Sequence, residues 1–301
     1  MHSHDPQQHP AALGSSARQP VYYLSHGGGP WPFMGGPFRE MFRVLERSLQ
    51  DLPRQLPEPP RAILIVTGHW EETHFSVSSA AQPGMIYDYH GFPEQLYQIS
   101  YPAPGSPALA EQTAALLEAG GWRVRRDPER GYDHGTYSLL KPIYPQAEIP
   151  VVQLSLLSNL DPVEHFAAGQ ALMPLREQGV LILGSGQSFH NLRARGPQMR
   201  AASEIFDTWL RHTLLDLSIE ARNIELLAWE QAPMARVAHP RAEHLLPLMV
   251  VAGAAGAESA SCVFGDYLAD FATSAYRFSA DAMTTEFDVL QLHHRSPRST
   301  P

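Results

Sequence analysis

Short apolar runs alternate with helical patterns along this chain, and this alternation constrains the fold more than any other feature. Residues 62–66 (Ala-Ile-Leu-Ile-Val) and 180–183 (Val-Leu-Ile-Leu) are apolar at every position, as expected of strands that are covered on both faces. Further strands are predicted at 20–24, 151–156 and 262–264. The pattern predicts an α/β fold: a single domain with a central, largely parallel or mixed sheet covered by helices on both faces.

Helical patterns fill most of the intervals between these strands. Pro37 begins a segment in which apolar residues recur every three to four positions, which is typical of an amphipathic helix with Pro in its first turn. Two other segments end at Gly120 and Gly179, and glycine commonly terminates helices. The predicted helices are 37–52, 107–119, 162–178, 200–215 and 242–253. Residues 74–103 interrupt the alternation and predict loops with one antiparallel strand.

The two ends of the chain lack any such pattern. Residues 1–19 are polar and rich in His, Gln, Ser and Pro, a composition that predicts a disordered leader. Residues 281–301 are predicted to form a C-terminal tail. The folded domain is therefore expected to span residues 20–280.

Composition narrows the functional classes. The formal net charge is -9, which argues against a nucleic-acid-binding protein and against binding to anionic membranes. The sequence has no recognisable secretion signal and no apolar run of about 18 residues, so it predicts a cytoplasmic protein without membrane spans. Cys262 is the only cysteine, so neither an intrachain disulfide nor a cysteine-rich structural zinc site is expected.

Histidines follow three of the predicted strands. His26 comes two residues after the first strand, His69 three residues after the second, and His190 shortly after a third. In open α/β sheets, ligands bind at the carboxyl ends of the strands, so we expect these side chains to meet at one edge. His244 and His134 lie in the motifs Glu-His-Leu-Leu-Pro and Tyr-Asp-His-Gly. Several imidazoles at one edge favour an open metal site for Fe(II), Zn(II) or Mn(II).

Other interpretations of the same residues stay open. A single histidine after a strand is commonly a hydrogen-bonded loop residue. The run Gly27-Gly28-Gly29 could hold a phosphate, although it lacks the Lys-Ser/Thr of a P-loop. Glu243 could supply a carboxylate ligand. Because neighbouring residues on a helix point about 100° apart, we expect only one of Glu243 and His244 to face the metal.

Six motifs follow one another in a fixed order between residues 20 and 280. They are Ser-His-Gly-Gly-Gly-Pro (25–30), Thr-Gly-His-Trp (67–70), Tyr-Asp-Tyr-His-Gly-Phe-Pro (87–93), Tyr-Asp-His-Gly (132–135), Gly-Ser-Gly through His-Asn (184–191) and Glu-His-Leu-Leu-Pro (243–247). Together they resemble the class III extradiol dioxygenases, and within them the DOPA-dioxygenase branch. The resemblance implies that residues 20–280 are a catalytic domain, an oxidoreductase with a non-haem Fe(II) centre.

The resemblance also implies the partners of such a domain. Its substrates would be a catechol and O2, and the ring would be cleaved beside the diol to a muconic semialdehyde-type product. Members of this branch can carry Zn(II) when isolated. A monomer or a homodimer is expected.

Roles for single residues follow from the same resemblance. His26, His69 and His244 match the three metal ligands, and His244 stands where protocatechuate-cleaving relatives have a glutamate. His190 matches the acid/base histidine and is a candidate for a fourth metal-binding nitrogen. His134 matches a pocket histidine that contacts the substrate. The all-histidine set departs from the usual two-histidine, one-carboxylate arrangement, which leaves the metal open between Fe(II) and Zn(II).

Two other functions would use the same residues. A zinc-dependent hydrolase would activate water with the histidine cluster. A non-catalytic metal-binding interaction protein would be expected to lose ligands or acid/base groups, whereas this chain retains all five histidines. The sequence also offers Lys141, Arg236 and Arg241 as partners for a substrate carboxylate, although an ordinary surface charge is the favoured interpretation of each.

Overall fold

The computed structural model describes residues 17–281. The predicted leader and tail therefore lie outside the described residues, except for residues 17–19 and 281. Within that short remainder Gln19 is fully buried, and Arg18 Nε donates a hydrogen bond to Glu258 Oε1 at 2.9 Å. The last residues of the leader segment thus pack against the domain.

The described residues contain eight strands in a single sheet. The strands are β1 (Val21–Ser25), β2 (Ala62–Glu72), β3 (Phe75–Ser78), β4 (Val124–Asp127), β5 (Val151–Leu157), β6 (Val180–Gly186), β7 (Ser259–Leu268) and β8 (Phe271–Ser279). Their spatial order is β4-β3-β5-β2-β6-β1-β8-β7. The four central strands run parallel, whereas β8 and β7 continue the sheet antiparallel. The predicted mixed sheet is confirmed, and the strand predicted within 74–103 is β3, which pairs antiparallel with β5.

Nine helices surround the sheet in the same part of the chain. The helices are α1 (Gly36–Glu40), α2 (Arg43–Asp51), α3 (Pro107–Ala119), α4 (His134–Ile143), α5 (Pro162–Leu172), α6 (Pro197–Leu215), α7 (Ile219–Leu227), α8 (Ala235–Ala238) and α9 (Leu246–Ala255). No helix among residues 17–281 is long and apolar enough to cross a membrane.

Three predicted helices differ from those observed. The helix predicted at 162–178 is α-helical only as far as Leu172 and continues as a 3-10 helix over Met173–Gln178. The single helix predicted at 37–52 is divided into α1 and α2. After Asp51 the chain continues as a 3-10 helix over Leu52–Gln55, because Pro53 lacks the backbone N–H that an α-helix would donate to the Leu49 carbonyl. The helix predicted at 242–253 begins only at Leu246, with Pro247 in its first turn. Residues 242–245 instead form a turn in front of α9.

Side chains of the central strands alternate between two hydrophobic cores. In β2, Ala62, Leu64 and Val66 face one core, and Ile63 and Ile65 face the other. Helices α3, α5, α6, α7 and α9 contribute to the first core, and α2 and α4 contribute to the second. The predicted covering of both sheet faces is confirmed, and it explains why these strands have no polar side.

Helices α5 and α9 approach each other through glycine. A Cβ atom on Gly169 would lie 2.0 Å from the Val250 carbonyl oxygen, and one on Gly253 would lie 2.0 Å from the Phe166 carbonyl oxygen. Only a residue without a side chain allows this backbone contact. The contact fixes α9 relative to α5 and thereby restricts the position of the turn that precedes α9.

Replacing Gly169 with alanine is expected to destabilise the protein by roughly 1–3 kcal/mol, because overpacking forces the two helices apart. This cost should exceed the gain of up to about 1 kcal/mol that alanine brings to a helix. Urea unfolding of Gly169→Ala measures it. In the control Gly35→Ala the added Cβ has no neighbour within 4 Å, and a change within about 0.5 kcal/mol is expected. Equal midpoints for the two variants would contradict the prediction.

Candidate metal centre

Three of the predicted site histidines meet at the carboxyl edge of the sheet. His26 directly follows β1, His69 lies in β2, and His244 lies in the turn before α9. His69 Nε2 is 3.1 Å from His26 Nε2 and 3.3 Å from His244 Nε2. The ligand atoms of all three lie within 4.8 Å of one another. The structure therefore brings together the three residues predicted as metal ligands.

His69 lies within a strand rather than after one, which corrects the sequence-based expectation. Strand β2 pairs regularly with β5 as far as Val66, loses its register, and resumes pairing at Glu71. Irregularities of this kind bend a strand and re-aim its side chains. At this distortion the His69 imidazole points towards His26 and His244.

Glycines let the turn that carries His244 lie directly on the end of β6 and on the distorted part of β2. A Cβ on Gly186, the last residue of β6, would lie 2.0 Å from the His244 carbonyl oxygen, and one on Gly68 would lie 2.9 Å from the Glu243 carbonyl oxygen. The His244 carbonyl also accepts hydrogen bonds from Tyr23 Oη at 2.7 Å and from the Gln187 backbone N–H at 3.1 Å. The main chain of His244 is thus held at one position over β1 and β6.

The hydrogen bonds of His26 define its tautomer. Its Nδ1 is 3.1 Å from Ser185 Oγ, and the Ser185 hydroxyl donates its only proton to the Gly135 carbonyl. Ser185 must therefore accept a hydrogen bond from Nδ1–H of His26. The lone pair of His26 is consequently on Nε2, which faces the other two histidines.

In His69 and His244, a carboxylate oxygen lies beside the Nδ1 atom. Asp88 Oδ2 is 3.3 Å from His69 Nδ1, and Glu243 Oε1 is 3.0 Å from His244 Nδ1. A carboxylate favours a proton on the nitrogen it faces, so both rings also direct an Nε2 lone pair inwards. Metal-binding histidines usually donate their second N–H to such an acceptor.

The protonation of the three rings agrees with a metal site. Burial, followed by repulsion from the neighbouring imidazoles, lowers the pKa of His26 and His244 well below the usual value. Burial and the nearby His134 lower the pKa of His69 to about 3. Three neutral nitrogen donors that point at one another suit a divalent transition metal. The donor set fits Fe(II) and Zn(II) equally well.

The two remaining predicted histidines flank the cluster. His134 is the first residue of α4, its ring centroid lies 4.0 Å from that of His69, and its Nδ1 is 2.8 Å from Asp88 Oδ1. The His190 ring stacks on His244 with centroids 3.4 Å apart, and its Nδ1 is 3.2 Å from Glu243 Oε1. All five histidines singled out in the sequence are therefore neighbours.

The two carboxylates stay ionised although they are partly buried. Burial raises the pKa of Asp88, but hydrogen bonds from His134 outweigh it and the net pKa is about 2. Burial likewise raises the pKa of Glu243, and its hydrogen bond with His190 reverses the shift to a net lowering. Sequence analysis did not identify Asp88 as a site residue, although it lies in the motif at 87–93. The neighbouring residues do not show that this segment packs beside His69 and His134.

Two further groups of residues have metal-ligand spacing within residues 17–281. They are His69-Asp88-His134 and His190-Glu243-His244. In each group the carboxylate already accepts a hydrogen bond from the Nδ1 of one histidine, His134 in the first and His244 in the second, so a metal there would have to displace that hydrogen bond. The geometry favours the three-histidine set and does not favour Glu243 as a ligand. Because residues 243 and 244 are not helical, the expected 100° separation on a helix does not apply.

The glycine run after His26 serves aromatic packing. Gly27 and Gly29 have φ values of 73° and 53°, and a Cβ on either would lie less than 3 Å from the ring of Trp31 or Phe92, respectively. Trp31 Nε1 donates a hydrogen bond to the His26 carbonyl at 2.7 Å. The run therefore supports the position of His26, and its glycines need no phosphate to explain them.

The cations considered for a substrate carboxylate are all engaged. Arg241 pairs with Glu71, Arg236 pairs with Glu230, and Lys141 Nζ donates to a backbone carbonyl at 3.0 Å. Of these three, Arg241 approaches the cluster, with Nη1 3.6 Å from an oxygen of Glu243.

Together, the fold and the histidine cluster define a metal-dependent α/β enzyme with its site at the carboxyl edge of the sheet. The sequence profile of the catalytic LigB subunit of aromatic ring-opening dioxygenase matches residues 20–278. The chain belongs to this family and is an extradiol ring-cleaving dioxygenase. The resemblance identified from the motifs is thereby confirmed.

Individual relatives agree with this assignment. The dioxygenase tasH of Hapsidospora irregularis is 39% identical over 258 residues, which cover 79% of each chain. The 4,5-DOPA dioxygenase extradiol of Beta vulgaris is 43% identical over 66% of this chain and 75% of its own. That of Mirabilis jalapa is 34% identical over 88% of this chain and 99% of its own. The crystal structure of an uncharacterized protein from Escherichia coli K12 matches with a TM-score of 0.68 and 29% identity, covering 87% of this chain and 100% of that one.

His69→Ala is expected to abolish metal binding while the protein remains folded, because the central nitrogen of the three-histidine set is lost. Metal content after reconstitution and circular dichroism measure the two effects. His212→Ala is the matched control, since its side chain is 59% exposed and pairs with Asp216 away from the sheet. Full metal retention in His69→Ala would remove His69 from the ligand set.

Proposed function

We propose that this protein cleaves a catechol-type ring beside its diol with O2 and releases a muconic semialdehyde-type product. The substrate would be DOPA or another substituted catechol, as the names of the relatives from Beta vulgaris and Mirabilis jalapa suggest. The observation that carries the proposal is the convergence of three neutral Nε2 atoms beside two further histidines. Such a site has both metal ligands and groups for proton transfer.

His26, His69 and His244 would hold the metal, which we propose to be Fe(II) in the active enzyme and Zn(II) in some preparations. Bound Fe(II) would supply the redox chemistry that ring cleavage by O2 needs, whereas Zn(II) has none. His190 falls outside the three-nitrogen set. This supports three protein ligands and coordination positions left for the reactants.

His190 is the proposed acid/base group. Glu243 faces its Nδ1 at 3.2 Å, so the Nε2 atom can accept a proton from a catechol hydroxyl and later return it to the departing oxygen. A histidine suits both steps because its unperturbed pKa of roughly 6.5 lies near the working pH.

His134 is the proposed substrate-contacting histidine. Asp88 accepts hydrogen bonds from both its Nδ1 at 2.8 Å and its backbone N–H at 3.1 Å. This double contact fixes the ring beside His69 and leaves Nε2 to accept a hydrogen bond from the substrate. His134 is therefore oriented before the substrate binds.

The alternative functions have less support. A zinc hydrolase could use the same nitrogens, but the family match points to ring opening. A non-catalytic binding protein would not need two additional histidines that are each backed by a carboxylate. The cytoplasmic location and the monomeric or homodimeric state stay predictions.

Reconstitution with Fe(II) without oxygen, followed by a panel of catechols in an oxygen electrode, tests the proposed reaction. Fe(II)-loaded protein should consume O2 and form a yellow semialdehyde product, whereas Zn(II)-loaded protein should do neither. The apo protein provides the baseline. Equal O2 consumption by the Zn(II) and Fe(II) forms would contradict a redox role for the metal, and an Fe(II) form that consumes no O2 with any catechol would contradict the dioxygenase reaction and leave the hydrolase as the alternative.

His190→Ala is expected to retain metal and to lower kcat by roughly 100- to 10,000-fold, the usual cost of losing a general acid/base. Metal content and kcat are measured side by side with His69→Ala. If His190→Ala loses metal as completely as His69→Ala, His190 is mainly a ligand, and the proton transfer must be reassigned to another group such as His134.

A further inference from the structure

Glu243 contacts both kinds of histidine in the cluster. Its Oε1 atom is 3.0 Å from Nδ1 of the metal ligand His244 and 3.2 Å from Nδ1 of the acid/base His190. The carboxylate is largely shielded from solvent, with 13% of its side chain exposed. One oxygen atom therefore faces the outer nitrogen of two rings with different tasks.

The stacking of the His190 and His244 rings explains why a shared acceptor stabilises them. Their centroids are 3.4 Å apart and their planes differ by 17°. Two nearly parallel imidazoles that direct Nδ1–H to the same side have aligned dipoles, which repel each other. A negative oxygen between the two N–H groups offsets this repulsion, and the hydrogen bonds it accepts hold both rings in a single orientation.

We propose that Glu243 is a positioning residue that links the metal centre to the acid/base. It holds both His244 and His190 with the proton on Nδ1, so that Nε2 of His244 faces the metal and Nε2 of His190 faces the substrate. The His190 half of this proposal rests on the proposed function. The His244 half requires only that the site binds a metal.

Arg241 provides a way to separate this role from ordinary ion pairing. It pairs with Glu71, and its Nη1 is 3.6 Å from Glu243 Oε2. Both glutamates thus neutralise the same cation, but of the two only Glu243 contacts the stacked imidazoles. Glu71→Gln removes the negative charge that pairs with Arg241 and leaves the contacts of His190 and His244 with Glu243 in place, so it is the matched control.

The test compares Glu243→Leu, Glu243→Gln and Glu71→Gln. Co(II) affinity is measured from its visible absorption in the absence of substrate, and kcat and KM are measured at saturating Fe(II) with the best catechol of the panel. Glu243→Leu should weaken Co(II) binding by roughly 10- to 100-fold. It should also lower kcat by roughly tenfold or more while KM changes little, because orientation of the acid/base affects the reaction and not substrate binding.

The conservative variant guards against a folding defect. Glu243→Gln retains a carbonyl acceptor of the same reach and should lose less than Glu243→Leu in both measurements. Glu71→Gln should resemble the wild type in both. If Glu243→Leu is unfolded by circular dichroism, the same comparison between Glu243→Gln and Glu71→Gln decides.

A double-mutant cycle with His190→Ala shows whether Glu243 acts through His190. In the His190→Ala background, Glu243→Leu should no longer lower kcat, yet it should still weaken Co(II) binding through His244. Additive losses of kcat would contradict the proposal. So would a change in only one of the two measurements in the single variant. A wild-type protein that cleaves no catechol would refute the proposed function itself, and this outcome is visible before any variant is made.

Discussion

The histidine cluster depends on the close approach of one turn to strands β2 and β6. The turn that carries His244 lies so near β6 that a Cβ on Gly186 would sit 2.0 Å from its carbonyl oxygen, and Gly68 provides similar room on β2. Gly184 of β6 lets α9 lie directly on the sheet, since a Cβ there would be 2.7 Å from the Pro247 carbonyl oxygen, and Gly169 and Gly253 hold α9 against α5. Both contacts restrict the position of the turn that precedes α9. Without these contacts the His244 imidazole would not reach His26, which follows β1, and His69, which lies in β2.

The close packing also determines which ring nitrogens carry a proton. The inner nitrogens are unprotonated because their rings are buried, and the outer nitrogens are protonated because Ser185, Asp88 and Glu243 accept from them or face them. The cluster therefore presents lone pairs inwards and places negative charge behind them. This arrangement attracts a cation and orients the two flanking histidines before any substrate binds.

Local sequence patterns predicted much of this, and their failures have physical causes. The burial of β2 and β6 on both faces follows from their continuous apolar composition, which is a local property. The start of α9 was placed too early because Ala242 to Leu245 continue an apolar pattern, although Pro247 is better suited to the first turn of a helix. His69 was expected after a strand because hydrophobicity falls at Thr67, whereas backbone pairing with β5 resumes at Glu71.

The α/β class, the covering of both sheet faces and the five clustered histidines could be predicted from the sequence, because strand period, helix period and motif order depend on neighbouring residues. The strand order, the partners of each ring nitrogen and the contacts of Asp88 and Glu243 become known from the folded structure. Those features depend on contacts between segments that are distant in the chain, such as His69 and His244, which are 175 positions apart. The tautomer of a buried imidazole is set by whichever acceptor packs against it, and that acceptor is known only once the chain has folded.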